Sequence, residues 1–457
     1  MRIRPMELTS RRGLGLGLAS ILLWSVVLAP RAFAEPRTIT YDEAVEIALD
    51  RNLPLLLANN DRGLDALSVS DARWRFLPDL RLGVSGSESF DKVTGETGET
   101  SWSSDRSMSA SLSSSVTLFD GFANVSSLRE ARFEQAAGEL DYERARQTVV
   151  FQVISDYLAF IESTEQERVR QANLAAEEEQ IDRVRALVEE GERPVNELYQ
   201  QEANVAASRL AVVEARRTLE LSQVDLMQTL HLDPLAEIVF EIPATGTPDA
   251  VGPAETFADL VEIAGESRAD LTAQEQRLAV SDERVTQAQA DRWPTLSLSG
   301  SFSSRYSDAL DDDLVTQFDD RQSAGVGLSL SYPIFDRKQT RNAVDRARIS
   351  RENAEIGLAG FRQDVALQVR RAVLDRDAAR ESLDAAEARV AAAREAFSYT
   401  NERYLAGAST LFEVTLSRAD LVSSESGVVS ARYRLLWQNR LVEYYVGTLE
   451  PDADLVR

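Results

Sequence analysis

The sequence has no cysteine and only one histidine, His231, among its 457 residues. Without cysteine the chain forms no disulfide and offers neither a thiol nucleophile nor the cysteine that a bacterial lipoprotein acylates. A single histidine at a predicted helix end supports neither a His-based triad nor a zinc motif, and a Gly-Lys-Ser/Thr phosphate-binding loop is missing. We therefore expect a protein that is not an enzyme and that binds no metal or cofactor.

Long apolar runs are also missing, except at the N-terminus. Four arginines within residues 2–12, an apolar segment at 14–28 and the sequence Ala32-Phe33-Ala34 predict a secretory signal peptide over residues 1–34 rather than a membrane anchor. No later stretch approaches about 18 consecutive apolar residues, so we expect no transmembrane helix.

Positive charge is scarce relative to negative charge. The chain has 50 Lys and Arg against 75 Asp and Glu, a net charge of −25. Removing residues 1–34, with five Arg and one Glu, leaves 45 basic and 74 acidic residues and a net charge of −29. Such a surface repels nucleic acid, which we exclude as a partner.

What the sequence does contain is an internal repeat with a gapless period of 216 residues. The segment Val45-Glu46-Ile47-Ala48 recurs as Val261-Glu262-Ile263-Ala264, and Phe119-Asp120 recurs as Phe335-Asp336. This period is far longer than the roughly 20 to 50 residues of a solenoid unit, so it predicts two multi-element halves of one architecture.

Each half contains two segments in which apolar residues alternate with small polar ones. The period of 2 predicts four strands of about ten to twelve residues, with a polar loop over 88–105 between the first two. Because the strands have this length and aromatic ends, we interpret them as transmembrane strands rather than an ordinary half-buried sheet. The apolar parity is clearest at Met108, Ala110, Leu112, Val116 and Leu118, and again at Ala324, Val326, Leu328, Leu330 and Tyr332.

Helical periodicity dominates the rest of each half. A first helix is predicted to begin at Thr40, with Glu43 completing a capping box. A helix of about 65 residues follows the strands from Asn124, about 100 Å at 1.5 Å per residue, and turns at Gly191 into a second helix that ends near Leu230. The second copy repeats this hairpin over 339–405 and 411–446.

These patterns divide the chain into five parts. We predict a signal peptide at 1–34, a first repeat at 35–233, a connector at 234–254, a second repeat at 255–448 and a tail at 449–457. The fold class is therefore a mixed α+β membrane protein with long coiled-coil hairpins. A closed membrane barrel needs about eight or more strands, so the four strands of one chain cannot close a barrel. Several chains must therefore contribute strands to the same barrel, and three copies would supply twelve strands.

Six short motifs carry a resemblance to the TolC-type outer-membrane efflux proteins over nearly the whole mature chain. Their order, spacing and duplication make the resemblance specific. They are the opening segment Tyr41 to Leu49, Phe76-Leu77-Pro78-Asp79-Leu80, Arg268-Ala269-Asp270-Leu271, Trp293-Pro294-Thr295-Leu296-Ser297-Leu298, Tyr332-Pro333-Ile334-Phe335-Asp336 and Arg403-Tyr404-Leu405-Ala406-Gly407.

The resemblance implies a homotrimer in the outer membrane of a Gram-negative cell. It implies a twelve-stranded barrel in contact with outer-membrane lipid, continued by a helical tunnel across the periplasm. It also implies a periplasmic adaptor and an inner-membrane pump or ABC exporter as partners. In such a system the chain is a passive exit duct for efflux or type I secretion.

The hairpin tips carry the site residues that the resemblance implies. The adaptor-docking positions are Gly191, Arg193, Pro194, Val195 and Leu198 in the first copy, and Gly407, Thr410, Leu411 and Val414 in the second. An acidic ring at the periplasmic entrance would involve Glu197 and Glu413, although an isolated glutamate on a helix is usually only solvated. His231 stands where the second copy has Gly447, and we assign it no catalytic or metal role.

One alternative of a different class remains from the sequence. A soluble periplasmic coiled-coil scaffold would explain the long helices. It leaves the four alternating strands and the duplicated halves without a reason.

Overall fold

The computed structural model describes residues 37–94, 98–242 and 256–450. The predicted signal peptide lies outside these ranges, as do residues 243–254 of the predicted connector and 451–457 of the predicted tail. The described chain is mainly α-helical, with one four-stranded antiparallel sheet and one pair of short parallel strands.

The first part of the chain runs from residue 37 to residue 242. Its elements are β1 (Arg37–Ile39), α1 (Tyr41–Arg51), α2 (Leu53–Trp74), β2 (Arg81–Thr94), β3 (Thr100–Phe119), α3 (Ala123–Glu189), α4 (Val195–Thr229) and β4 (Ile238–Phe240).

The second part follows the same order of long elements. Its elements are α5 (Phe257–Ser267), α6 (Ala269–Ala290), β5 (Thr295–Ser307), α7 (Leu314–Asp320), β6 (Ser323–Ser331), α8 (Gln339–Leu405) and α9 (Leu411–Val446). The helices α3 and α8 are both 67 residues long, and they start at positions 123 and 339, which are 216 apart. The short helix α7 was not predicted from the sequence.

The start of α1 corrects one prediction. The Thr40 side chain caps the helix by accepting the Glu43 N–H at 3.2 Å, as expected. The Glu43 carboxylate, however, binds the Arg37 guanidinium instead of completing a capping box. Arg37 reaches it because β1 places this residue beside the helix start, and a charged partner competes well with a backbone amide. A complete capping box is present at α5, between Thr256 and Asp259.

The two long hairpins confirm the helix boundaries expected from the sequence. α3 packs along α4, and α8 packs along α9. The hairpins end in left-handed residues, His231 with φ 48° and Gly447 with φ 87°. The exposed His231 therefore occupies a backbone position that favours glycine, at a solvated helix end.

The four-stranded sheet has the order β2-β3-β5-β6, and every neighbouring pair is antiparallel. The predicted loop over 88–105 is wrong, because β2 and β3 remain paired as far as Thr94 and Thr100. β3 is 20 residues long and β2 is 14, both beyond the predicted ten to twelve. Backbone pairing needs no apolar side chains, and contacts such as Arg106 Nε to Glu88 Oε1 at 2.9 Å extend the ladder through polar sequence.

The largest apolar core lies around the middle of α3. A stripe of apolar residues spaced by three or four positions, Val150, Ile154, Leu158 and Ile161, is buried there. It packs against residues of α1, α4 and α9, and against Phe240 of β4, which pairs with β1 in parallel. A second cluster joins α5, α8 and α9. No helix in the described ranges is long and apolar enough to cross a membrane.

Candidate functional site at the hairpin tips

Both helical hairpins end in the same backbone turn. Gly191 follows α3 with φ 77°, and Gly407 follows α8 with φ 75°. The next amide in each chain segment returns to a helix carbonyl, Glu192 N–H to Leu187 at 2.9 Å and Ala408 N–H to Arg403 at 2.8 Å. These bonds close each helix in a Schellman turn, whose left-handed residue favours glycine. Both predicted turn glycines occupy that position.

The helices that leave the two turns are capped differently. Pro194 precedes α4 and makes no side-chain cap. Thr410 precedes α9, and its hydroxyl accepts the Glu413 N–H at 3.3 Å. Since a side-chain cap satisfies one of the free amides of the first turn, α9 begins more firmly than α4.

A small apolar cluster holds the two tips together. It contains Val184 of α3, Tyr404 of α8, and Leu411 and Val414 of α9. Tyr404 is only 1% exposed, and Leu198 of α4 packs against the cluster from the side. Leu411 and Val414, which the family resemblance assigned to docking, are therefore interior residues of this chain.

Polar contacts of Tyr404 reinforce the cluster. The Arg193 guanidinium lies over the Tyr404 ring, 4.4 Å from its centroid, and donates to the Tyr404 carbonyl at 3.0 Å. The Tyr404 hydroxyl donates to Glu197 Oε2 at 3.0 Å, and Arg193 lies 3.8 Å from the Glu197 carboxylate. We call these three residues the tip clasp. The clasp joins the start of α4 in the first hairpin to the end of α8 in the second.

The clasp also shifts an acid–base equilibrium. Burial raises the pKa of Tyr404 to about 12, and the hydrogen bond to Glu197 adds to the shift because it stabilises the neutral phenol. The phenol thus remains a hydrogen-bond donor at neutral pH. A donor and a carboxylate acceptor together make a charge-assisted bond across the two hairpins.

A second polar contact joins the hairpins further from the tips. Arg418 of α9 forms an ion pair with Glu177 of α3 at 3.5 Å, and both side chains are buried. Burial lowers the pKa of Arg418, while the Glu177 charge opposes that shift. Asn204 of α4 donates to the Thr415 hydroxyl of α9 at 3.1 Å. The hairpins are therefore connected beyond the clasp as well, and further hydrogen bonds such as Trp437 Nε1–H to the Ser155 hydroxyl at 3.0 Å join α9 to α3.

The exposed surface of the tips differs from the predicted docking set. Gly191, Pro194, Val195, Gly407 and Thr410 are exposed, whereas Arg193 is half-buried in the clasp. Large apolar side chains that the second tip presents to solvent were not predicted from the sequence. Phe412 (73% exposed) and Leu416 (62%) lie one turn apart on α9, with Leu405 and Tyr399 exposed on α8. Phe412 and Leu416 are four residues apart and therefore lie on one face of α9, whereas Leu411 and Val414 lie on the buried face. This spacing could have identified the exposed apolar face from the sequence.

The two predicted ring carboxylates occupy the first turns of α4 and α9. Glu197 is bound to Tyr404 and Arg193, and the Glu413 carboxylate accepts from the Ser409 hydroxyl. Of these two carboxylates, only Glu197 forms an ion pair, with Arg193. The two positions therefore carry different local charge. Within residues 37–94, 98–242 and 256–450, no three His, Asp or Glu side chains are grouped so as to hold a metal ion.

At the other end of the helices, the sheet separates its residues by face. Leu82, Leu112 and Phe302 are consecutive partners across three strands and form an apolar row. The next row is small and polar, and Ser hydroxyls bond between strands, as in Ser85 to Ser109 at 2.8 Å. The apolar side chains are exposed along β2 and β6. The predicted strand parity is therefore kept along β3 as far as Thr117, after which a register shift pairs Phe119, rather than Leu118, with Leu296.

The order of long hairpins and paired strands is matched by known proteins. The sequence model of the family described as Outer membrane efflux protein matches residues 45–230 and 260–447, most of the chain. The chain belongs to this family.

Curated relatives agree with this assignment. The chain is 24% identical over 426 residues to outer membrane efflux protein BepC of Brucella suis biovar 1 (strain 1330), covering 91% of this chain and 86% of BepC. It is 25% identical over 411 residues to outer membrane protein TolC of Salmonella enteritidis, covering 87% of this chain and 79% of TolC. This efflux protein is thus an outer-membrane channel component, and the alternative of a soluble scaffold loses its support.

Solved structures show the same fold. The outer membrane protein VceC from Vibrio cholerae aligns with a TM-score of 0.74 at 17% identity, covering 89% of this chain and 96% of VceC. The helix-dominated channel fold is therefore that of this efflux protein as well.

Proposed function

We propose that three copies of this efflux protein assemble into one conduit. Twelve strands would close a barrel in the outer membrane, and the long helices would form the wall of a tunnel in the periplasm. The chain would be the passive exit duct for a periplasmic adaptor and an inner-membrane pump or ABC exporter. In this proposal the two hairpins of each chain, which are related by 216 residues, alternate around the wall of the tunnel.

One observation carries the proposal. Within the described chain, β2 and β6 each have one edge without a strand partner, while the apolar rows between them are exposed. An open edge in hydrocarbon leaves backbone amides and carbonyls unsatisfied, each costing several kcal/mol by order of magnitude. Pairing β6 of one copy with β2 of the next removes both edges, and closure after three copies gives an ordinary barrel size.

The proposed assembly can be tested by disulfide cross-linking. Because the sequence has no cysteine, every thiol in a variant is one that was introduced. Ser85→Cys on β2 and Ser329→Cys on β6 lie on the small polar face. A scan of such pairs, oxidised in cells, should give a covalent trimer as the largest product on denaturing gels. Products that extend beyond three chains, or β2–β6 pairs that never cross-link, would contradict the closed ring. Ser111→Cys on the interior strand β3 is the matched control, since it has no free edge.

The orientation and the adaptor are tested by a second set of thiols. Glu192→Cys and Ala408→Cys at the tips should cross-link to a periplasmic adaptor in cells. Gly98→Cys and Asp311→Cys, at the opposite ends of the strand pairs, should react with an impermeant reagent from outside. Labelling of the tips in intact cells would reverse the orientation.

The exposed ridge of Phe412 and Leu416 extends the docking proposal. Exposing large apolar side chains to water is unfavourable, so a cluster of them at the surface usually marks a site that another protein covers. Buried aromatic side chains contribute much of the binding energy at many interfaces. We expect Phe412→Ala to weaken adaptor cross-linking at Ala408→Cys while leaving trimer formation intact. Glu402→Ala, at an exposed position on α8 near the same tip and without an apolar side chain, should have a smaller effect on cross-linking.

A further inference from the structure

A groove lies where the second strand pair meets the helices. It has a volume of about 680 Å³ and is open to solvent. Leu330 belongs to the apolar parity of β6, so the groove opens on the outward face of the sheet rather than on the Ser-lined face. Its lining residues are Gln289, Arg292, Trp293, Pro294, Leu330 and Tyr332.

The groove contains three kinds of side chain that suit binding of a lipid at the headgroup region: apolar, aromatic and positively charged. Leu330 offers apolar surface on the side of the acyl chains. Trp293 and Tyr332 are exposed aromatic residues, which prefer the boundary between hydrocarbon and water. Arg292 supplies a positive charge at that boundary.

Two further cations lie at the same end of the sheet. Arg337 and Lys338 follow Tyr332 closely and precede α8, and both are exposed with left-handed backbone, φ 54° and 67°. The neighbouring acid Asp336 is occupied by backbone amides, accepting from Lys338 N–H at 3.0 Å and Thr340 N–H at 2.8 Å. Among the described residues no carboxylate forms an ion pair with Arg292, Arg337 or Lys338, whereas Arg81 at the same end of the sheet is paired with Asp79.

The corresponding place in the first strand pair has a different character. The positions 216 residues earlier are Phe76, Leu77, Gly121 and Phe122, with no cation among them. A Cβ atom at Gly121 would lie 3.0 Å from the Trp293 Cβ, so this junction packs closely against the groove. The first junction therefore has apolar side chains and no cation at these positions, with a close backbone contact only at Gly121, and the second is basic and open.

Unpaired cations on a chain with a net charge of −25 call for an anionic partner. We propose that the groove binds the phosphate headgroup of an anionic phospholipid from the periplasmic leaflet of the outer membrane. Arg292 contacts the phosphate, Arg337 and Lys338 add to the local positive potential, and Trp293 and Tyr332 flank the headgroup. This inference rests on the proposed orientation, in which the helix junctions lie at the periplasmic surface.

The site would hold the second strand pair at a defined depth in the membrane. Each basic residue near an anionic membrane surface contributes about 1 kcal/mol of attraction, which corresponds to about fivefold in binding. In the proposed trimer the arrangement gives three basic lipid sites that alternate with three apolar junctions. Binding should therefore saturate at one anionic lipid for each chain.

Native mass spectrometry of the full-length protein in mild detergent tests this site directly. The probes are dioleoyl phosphatidylglycerol, dioleoyl phosphatidylcholine and inorganic phosphate. We expect a preference of about fivefold or more for phosphatidylglycerol, with one molecule for each chain. The triple variant Arg292→Gln, Arg337→Gln, Lys338→Gln should lose the preference, and Arg292→Lys should keep most of it.

Arg81→Gln is the matched control. Arg81 is an exposed cation at the same end of the sheet, but it is paired with Asp79 at 2.8 Å, so its loss should leave the lipid preference unchanged. An unchanged preference in the triple variant would overturn the proposal, as would equal binding of the two lipids. Binding of inorganic phosphate as tight as that of phosphatidylglycerol would show a free-anion site instead.

The same spectra separate this inference from the proposed function. The mass of the protein reports the number of chains, independently of the lipid adducts. A trimer without lipid preference refutes only the lipid site, whereas a monomer refutes the proposed assembly. If the triple variant fails to fold, Arg292→Gln alone should still lower the preference by about fivefold relative to the parent.

Discussion

The apolar cluster at the hairpin tips is buried, whereas the apolar rows of the sheet are exposed. At the hairpin tips, Tyr404, Leu411 and Val414 are buried against one another inside a single chain. In the sheet, Val326, Leu328 and Leu330 are all largely exposed, and every residue of β6 is accessible. The tip cluster is closed within one chain, whereas the apolar rows of the sheet remain uncovered.

This difference in burial indicates whether a region is stabilised by its own chain or by contacts outside the chain. Apolar surface that is buried within the chain stabilises the chain itself, at about 25 cal/mol for each Å² removed from water. Apolar surface in continuous exposed rows is stable only against lipid or another protein. Mutations in the buried tip cluster should therefore act on the folding of one chain, and mutations in the sheet should act on membrane assembly. Mutations of the exposed Phe412 and Leu416 should instead act on partner docking.

The largest effect is expected at the centre of the tip cluster. Tyr404→Ala removes a buried ring, and we expect local destabilisation of about 3 to 5 kcal/mol, as for other buried aromatic residues. Hydrogen exchange at the tips should accelerate strongly, while exchange in the core around α3 stays slow. Tyr399→Ala, at an exposed position on the same helix, is the control and should change little. Equal effects from the two variants would refute the closed tip.

The next effect concerns the outward face of the sheet. Leu112→Arg or Leu328→Arg should impair membrane assembly by about 2 to 4 kcal/mol if the position is near the middle of the bilayer. Ser111→Arg and Ser329→Arg, each one residue away on the other face, should be accepted because they face water. Folding into lipid vesicles under urea titration measures the difference. Equal damage from both sets would remove the assignment of these strands to a barrel.

A smaller effect is expected at the two carboxylates of the tips. If Glu197 and Glu413 line a narrow entrance, three chains bring six carboxylates together, which favours cations and binds trivalent ones. Arg193 lies 3.8 Å from Glu197, so Glu413→Gln should reduce cation selectivity and trivalent block more than Glu197→Gln. Planar bilayer recordings of both variants and of the double variant decide this. If the double variant behaves like the parent, the constriction lies elsewhere.

The smallest effect is a pH dependence of the tip clasp. Because the pKa of Tyr404 is raised from 10.0 to about 12, the neutral phenol is favoured in the folded tip. The stabilisation is complete below the unfolded pKa of Tyr and is lost as the pH rises through the folded pKa. Hydrogen exchange, corrected for its intrinsic rate, should show the tips loosening between about pH 10 and pH 12. Tyr404→Phe should lack this dependence, and its persistence in that variant would show that another group titrates.

The sequence by itself determined the features that repeat along the chain. Alternation of Ser with apolar residues predicted the sheet faces, and Gly191 and Gly407 predicted the turns, because these signals depend on neighbours a few residues away. The polar ends of β2 and β3 were mistaken for a loop, since pairing outside the apolar zone leaves no apolar pattern.

Only the tertiary structure decided which tip residues face inward. The Tyr404 hydroxyl meets Glu197 across 207 positions of sequence, and Arg193 reaches the Tyr404 carbonyl across 211. Leu411 and Phe412 are neighbours with similar character, yet one is buried in the cluster and the other is exposed. Helical periodicity defines a face, but it does not say which neighbour covers that face. The packing of one hairpin against the other supplies that information.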